Sequence, residues 1–236
     1  MINKHIFHNL PIIFKYNFKI IFSGKFFWYV IASVAIFLGL LYIVAASGQD
    51  LNTSLVFRQI LVPAILLIFY PTVFGIQNDA DSKILEILFG IPNYRYKIWG
   101  VRLLMIYAIA IILVLFLSYI AIIFLYPINP FSMTFNVIFP LLLVGNMAFM
   151  FSTLVKNGNG AAIITIFSVI LLLIFSSGAL ETSQWNVFLN PYGEYTKIHP
   201  MIWHNTIIKN KIILLVASII FSLTGLLKLQ KRESFI

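Results

Sequence analysis

The chain has 236 residues, of which 61% are apolar and only 10% charged, and its formal net charge is +9. Soluble chains run about 45–50% apolar and about 25% charged, so this composition excludes an ordinary soluble enzyme and a disordered tail. A membrane barrel would alternate in polarity, whereas the apolar runs here are continuous, which points to an all-α polytopic membrane protein forming a single transmembrane domain.

Before the first apolar run, Lys4, His8, Lys15 and Lys19 recur at helical spacing, with Ile12, Ile13, Phe14, Ile20 and Ile21 around the other side. Asn9 suits an N-cap and Pro11 a first turn. The pattern predicts an amphipathic helix over 9–23 lying in the membrane interface. Six apolar stretches follow, at about 26–46, 56–76, 98–126, 135–155, 161–180 and 211–228. A helix crosses the hydrocarbon core in about 20 residues. The first stretch is longer than the about 7–15 residues of a signal-peptide core, so it reads as a span. Arg58, Lys211 and Lys228 sit at span ends, where long stems reach outward.

The connections differ. Residues 127–134, with Pro127 and Pro130, predict a short outer turn, and Lys156-Asn157-Gly158-Asn159-Gly160 a tight inner one. The long segment 181–211 carries Trp185, Phe188, Tyr192, Tyr195 and Trp203, which suit an interface. It predicts short helices dipping into the outer leaflet, broken at Pro191 and Pro200. With the N-terminus inside, Lys4, Lys15, Lys19, Lys25, Lys83, Arg95, Lys97, Arg102, Lys156, Lys228, Lys231 and Arg232 fall inside. Only Arg58, Lys197, Lys209 and Lys211 fall outside. The bias follows the positive-inside rule and puts both termini in the cytoplasm. Basic residues spread between apolar runs give no nucleic-acid footprint.

Catalytic patterns are missing from the sequence. It holds no phosphate-cradling G-x-x-x-x-G-K-[ST], no G-x-S-x-G and no H-E-x-x-H. With no cysteine, thiolate metal sites and a cysteine nucleophile are excluded too. His199 and His204, with Glu194 and Met201, match no metal-ligand spacing. Asn146, with Thr165 and Ser168 among the few polar residues of the spans, reads as an inter-helix hydrogen bond or a water contact. No cofactor site is expected in this chain.

The most informative stretch is the second inner loop. Asp79, Asp81 and Ser82 look like a helix start. Ile84, Leu85, Ile87 and Leu88 give an apolar face around Glu86, Gly90 is a stop signal, and Pro92 ends the helix at Ile91. A two-turn amphipathic helix with a hard turn into the third span is predicted, anchored by Arg95, Lys97 and Arg102.

This loop resembles that of the ABC transporter type-2 permease family. There, acids follow the second span, then a Leu-Glu-Leu-Leu-like helix, with a Pro six residues after the Glu and an Arg three after the Pro. Here stand Asp79 and Asp81, then Leu85-Glu86-Ile87-Leu88, Pro92 and Arg95, with Lys83 in place of a usual Gly. Asn190-Pro191 is similar to an Asn-Pro common in the family's last outer segment. The resemblance implies a permease subunit of an ATP-driven exporter. Its coupling helix would dock a separate ATPase subunit through Asp79, Asp81, Lys83, Leu85, Glu86, Leu88, Pro92 and Arg95. ATP and Mg would bind that partner, and a second permease copy or a paralogue would complete the pair. The cargo would be an amphiphile: a lipid, glycolipid, peptide or similar molecule. The location implied is the inner (plasma) membrane of a bacterium. An ion-coupled carrier would place an ionisable group at the bilayer midplane, and none of the six stretches has one. A membrane scaffold or immunity protein fits the composition but leaves the loop unexplained. A permease for maturing a cofactor or metal enzyme shares the plan.

Overall fold

The computed structural model of the chain describes residues 26–81, 95–155, 157–178, 180–193 and 198–229. These residues form α1 (Phe26–Ser47), α2 (Thr53–Asp81), a π-helical turn (Arg95–Gly100), α3 (Val101–Phe124), α4 (Pro130–Val155), α5 (Gly158–Ser177) and α6 (Pro200–Lys228). Counting the π turn's last residues with α3, all six helices are long and apolar enough to cross a membrane. The described residues contain no strand. The predicted interfacial helix over 9–23 lies outside them.

Local chemistry sets the helix starts. Asn52 Oδ1 accepts from Leu55 N at 2.8 Å at the head of α2. Asn129 Oδ1 takes Phe131 N and Ser132 N, each at 3.1 Å, ahead of α4. Asn157 caps α5 through Asn159 N and Gly160 N, and His199 Nδ1 takes Met201 N ahead of α6. Each satisfies amides that the first turn leaves open. Gly48, at φ +63°, ends α1 in the left-handed conformation that other residues resist.

Two helices run beyond the sequence expectation. The acids Asp79 and Asp81 lie in the last turn of α2. The sixth helix begins at Pro200, about a dozen residues before the expected span. Proline suits that position because its missing N–H has no helical partner there. Where short helices were expected before it, the described residues 180–193 form turns. Those turns are held by buried asparagines. Asn186 donates to Ser176 O at 3.2 Å and to Glu181 O at 3.1 Å, and accepts from Phe188 N at 2.9 Å. Asn210 on α6 donates to Gln184 O and Asn186 O. Asn190 ties the segment to Ser54 at the head of α2, donating to its carbonyl at 2.9 Å and its hydroxyl at 2.8 Å.

The helices alternate in direction from α1 to α5, and α6 runs parallel to α4. We call the end holding the start of α1 proximal and the opposite end distal. α4 is central, packing on α2, α3, α5 and α6, and α6 packs chiefly on it. Membrane helices approach closely where residues are small. A Cβ on Gly145 would meet Ile68 Cδ1 at 2.7 Å and the Tyr107 hydroxyl at 2.8 Å, so α2, α3 and α4 converge there. Hydroxyls inside the helices turn back on their own carbonyls, as Thr72, Ser118, Thr134 and Thr165 do four residues earlier. Large apolar side chains face outward instead of hiding, for example Ile163, Phe167 and Ile174 on α5 and Trp28 and Tyr42 on α1. Water would penalise such faces and lipid does not; the architecture is compatible with a multi-pass membrane protein.

Candidate functional site

The sequence-predicted loop leaves the bundle at the proximal end. Asp79 and Asp81 lie in the last turn of α2 and Arg95 opens the π turn. Lys83, Leu85, Glu86, Leu88 and Pro92, and with them the expected coupling helix, lie outside the described residues. Asp81 is exposed, whereas Asp79 is buried.

Asp79 finds its partner across the bundle. Arg102 Nη1 on α3 donates to its Oδ2 at 2.6 Å, with both side chains only 3–4% exposed. An acid in the last helical turn opposes the helix dipole, and a guanidinium at this range outweighs that effect. Three residues earlier on the same face, the Trp99 ring lies 4.4 Å below the Arg102 guanidinium. Trp99 is fully buried. It sits against Gly75, where a Cβ would come within 3.2 Å of its ring, and against Phe149, 5.8 Å between centroids. The π turn directly before Arg102 is a local widening of the kind often found at functional positions.

The last turns of α2 bond to every neighbouring helix. Gln77 Oε1 accepts from Gly158 N at the head of α5, at 2.6 Å. Any side chain on Gly158 would collide with Gln77 Oε1. Ser152 on α4 donates to Val73 O at 2.7 Å. Tyr70 stacks on Tyr29 of α1 at 4.6 Å and accepts from Asn78 Nδ2 at 3.2 Å. The loop's two roots are therefore fastened to α1, α3, α4 and α5 together. Sequence reasoning placed Arg102 as an interfacial anchor and missed its pairing. It also missed Trp99 and Gln77. The available signal was an Arg just inside an apolar run facing an Asp at the end of the preceding one.

Elsewhere, Asn146 Nδ2 donates to Ser218 Oγ at 2.6 Å, and the Ser218 hydroxyl donates to Leu142 O at 3.0 Å, clamping α4 to α6. His199 caps α6 and His204 is exposed. Among the described residues no three His, Cys, Asp or Glu side chains gather to hold a metal. No family model, curated protein or solved structure matches this chain.

Proposed function

We propose that this chain is the transmembrane permease subunit of an ATP-driven ABC exporter, moving an amphiphile in concert with a separate ATPase subunit. The observation that carries this reading is the loop from Asp79 to Arg95, rooted where α2 is fastened to four other helices. A subunit pushing on residues 82–94 would act first on Asp79 and on the Arg95–Arg102 stretch. The Asp79–Arg102 and Gln77–Gly158 contacts would pass that displacement to α3 and α5 instead of fraying the end of α2. Asp81, Lys83, Leu85, Glu86, Leu88, Pro92 and Arg95 are the proposed docking residues. ATP and Mg belong on the partner.

The exposed apolar faces of α1, α5 and α6 suit lipid and a second copy of the chain. Acids within the described helices are confined to Asp79 and Asp81, at one end of α2. That distribution supports ATP rather than an ion gradient as the energy source, since a proton or sodium relay uses carboxylates at mid-membrane. The proposed setting is a bacterial inner membrane, with the proximal end and both termini cytoplasmic.

Two measurements test the proposal. Co-expressed with an ATPase encoded beside it, the chain should purify as a two-plus-two assembly by mass in detergent. In proteoliposomes, vanadate should stop export of the amphiphile and a protonophore should leave it intact. A lone chain active in transport, or the reverse inhibitor pattern, overturns it.

A further inference from the structure

At the distal end a cavity of about 450 Å³ opens between α2, α5 and the turns that follow α5. Arg58, Ser176, Ser177, Glu181, Asn186 and Phe188 line it. Its wall is built, because Asn186, 2% exposed, spends both its amide and its carbonyl on fixing the turn against α5. Arg58 and Glu181 bring opposite charges to the same space. Among the described residues the one ion pair is Asp79–Arg102, so these two are not joined to each other. Arg58 is exposed near the head of α2, and the fork of its guanidinium matches phosphate oxygens.

An apolar groove adjoins the cavity. Val62 lines both the cavity and this groove, of about 260 Å³ between α1, α2 and α5, walled by Ile36, Leu66, Phe69, Ile166 and Ile170. From Arg58 to Phe69 the helix rises about 16 Å. That is about half of a hydrocarbon core of about 30 Å, the depth of one leaflet. A chamber lined by charges of both signs thus sits beside an apolar groove, and the two together reach about the depth of one leaflet.

We propose that this is a binding site for a phospholipid whose headgroup carries both a phosphate and an amine. The phosphate sits on Arg58, the ammonium faces Glu181, and one acyl chain lies in the Val62–Phe69 groove. The site rests on the bilayer placement argued above and not on coupling to an ATPase.

Native mass spectrometry of the purified chain, titrated with phosphatidylethanolamine or phosphatidylglycerol, tests the site. The wild type should retain one phosphatidylethanolamine per chain in preference to phosphatidylglycerol. Arg58→Gln should weaken retention of both lipids by about tenfold or more, the loss of one charge-assisted contact. Glu181→Gln should erase the preference for the amine while keeping the phosphate contact. Val62→Trp should weaken retention by filling the groove, and chain-free glycerophosphoethanolamine should not compete. Both charged residues are exposed, so the variants should melt with the wild type. Equal retention by wild type and Arg58→Gln, or an unchanged amine preference in Glu181→Gln, overturns the proposal. So does competition by the chain-free headgroup. Failure here with the chain still in the membrane fraction leaves the exporter reading standing, and recovery in the soluble fraction overturns both.

Discussion

The two ends of the bundle solve the same problem with different chemistry. Where chain leaves a helix in an apolar setting, its polar groups need partners. At the distal end the partners are neutral amides: Asn186, Asn190 and Asn210 gather the carbonyls and N–H groups of the turns. At the proximal end the fastening is ionic, Asp79 to Arg102 with Trp99 beneath. An amide loses about 1–3 kcal/mol when its partner is left unsatisfied. A buried ion pair broken on one side costs about 3–5 kcal/mol, although replacing both halves by apolar groups is often neutral. The proximal lock is therefore nearly all-or-none and the distal one is graded.

Substitutions can break or sharpen this contrast. The largest loss should follow Asp79→Asn, about 3–5 kcal/mol of stability from a stranded guanidinium, read as a lowered melting midpoint in detergent. The double variant Asp79→Leu with Arg102→Met should recover most of it; a double variant no better than the single would show that the pair is not the lock. Next, Asn186→Leu should cost toward the upper part of about 1–3 kcal/mol, since two carbonyls and one amide lose their partner. Faster hydrogen exchange confined to 180–190 would mark the graded, local failure expected there. Gly158→Ala should cost about 1 kcal/mol by displacing Gln77 and its bond, and Gly158→Ala combined with Gln77→Ala should cost little more. The middle of the bundle should respond about as weakly. Ser218→Ala removes two inter-helix hydrogen bonds, which average about 0.6 kcal/mol each in a membrane protein, so it should cost about 1 kcal/mol. A loss there equal to that of Asp79→Asn would erase the distinction between ends and middle.

The number of membrane-length helices was legible because long uncharged runs are a strong, local signal. The start of α5 was marked by Asn157, although the glycines expected to form a tight turn lie in the helix it caps. The end of α2 was not. Acids before an apolar run normally announce a helix start, and here Asp79 answers to Arg102, twenty-three residues on. The head of α6 was obscured in a related way. Lys209 read as a loop residue and Lys211 as the end of the span, yet both lie well inside the helix, with Lys211 Nζ 4.8 Å above the Phe135 ring. Its stem can lie along apolar surface while the aromatic face receives the charge. The turns over 180–193 were mistaken for helices because aromatic residues suggested an interface, while the asparagines that shape them act through distant backbone. Of the expected docking residues, only Asp79 and Asp81 are placed with their side chains.

The helices are unequal in length, and that inequality bears on the surrounding lipid. α5 has 20 residues and rises about 30 Å, whereas α2 and α6 have 29 each and rise about 43 Å. A bilayer of ordinary thickness fits α5 upright, while α2 and α6 must tilt or project through the headgroups. Hydrophobic mismatch costs fractions of a kcal/mol per Å. A thicker membrane would relieve the two long helices and strain the short one. In a bilayer, a change of thickness would be felt first at α5, and its strain would reach α2 through the Gln77–Gly158 contact.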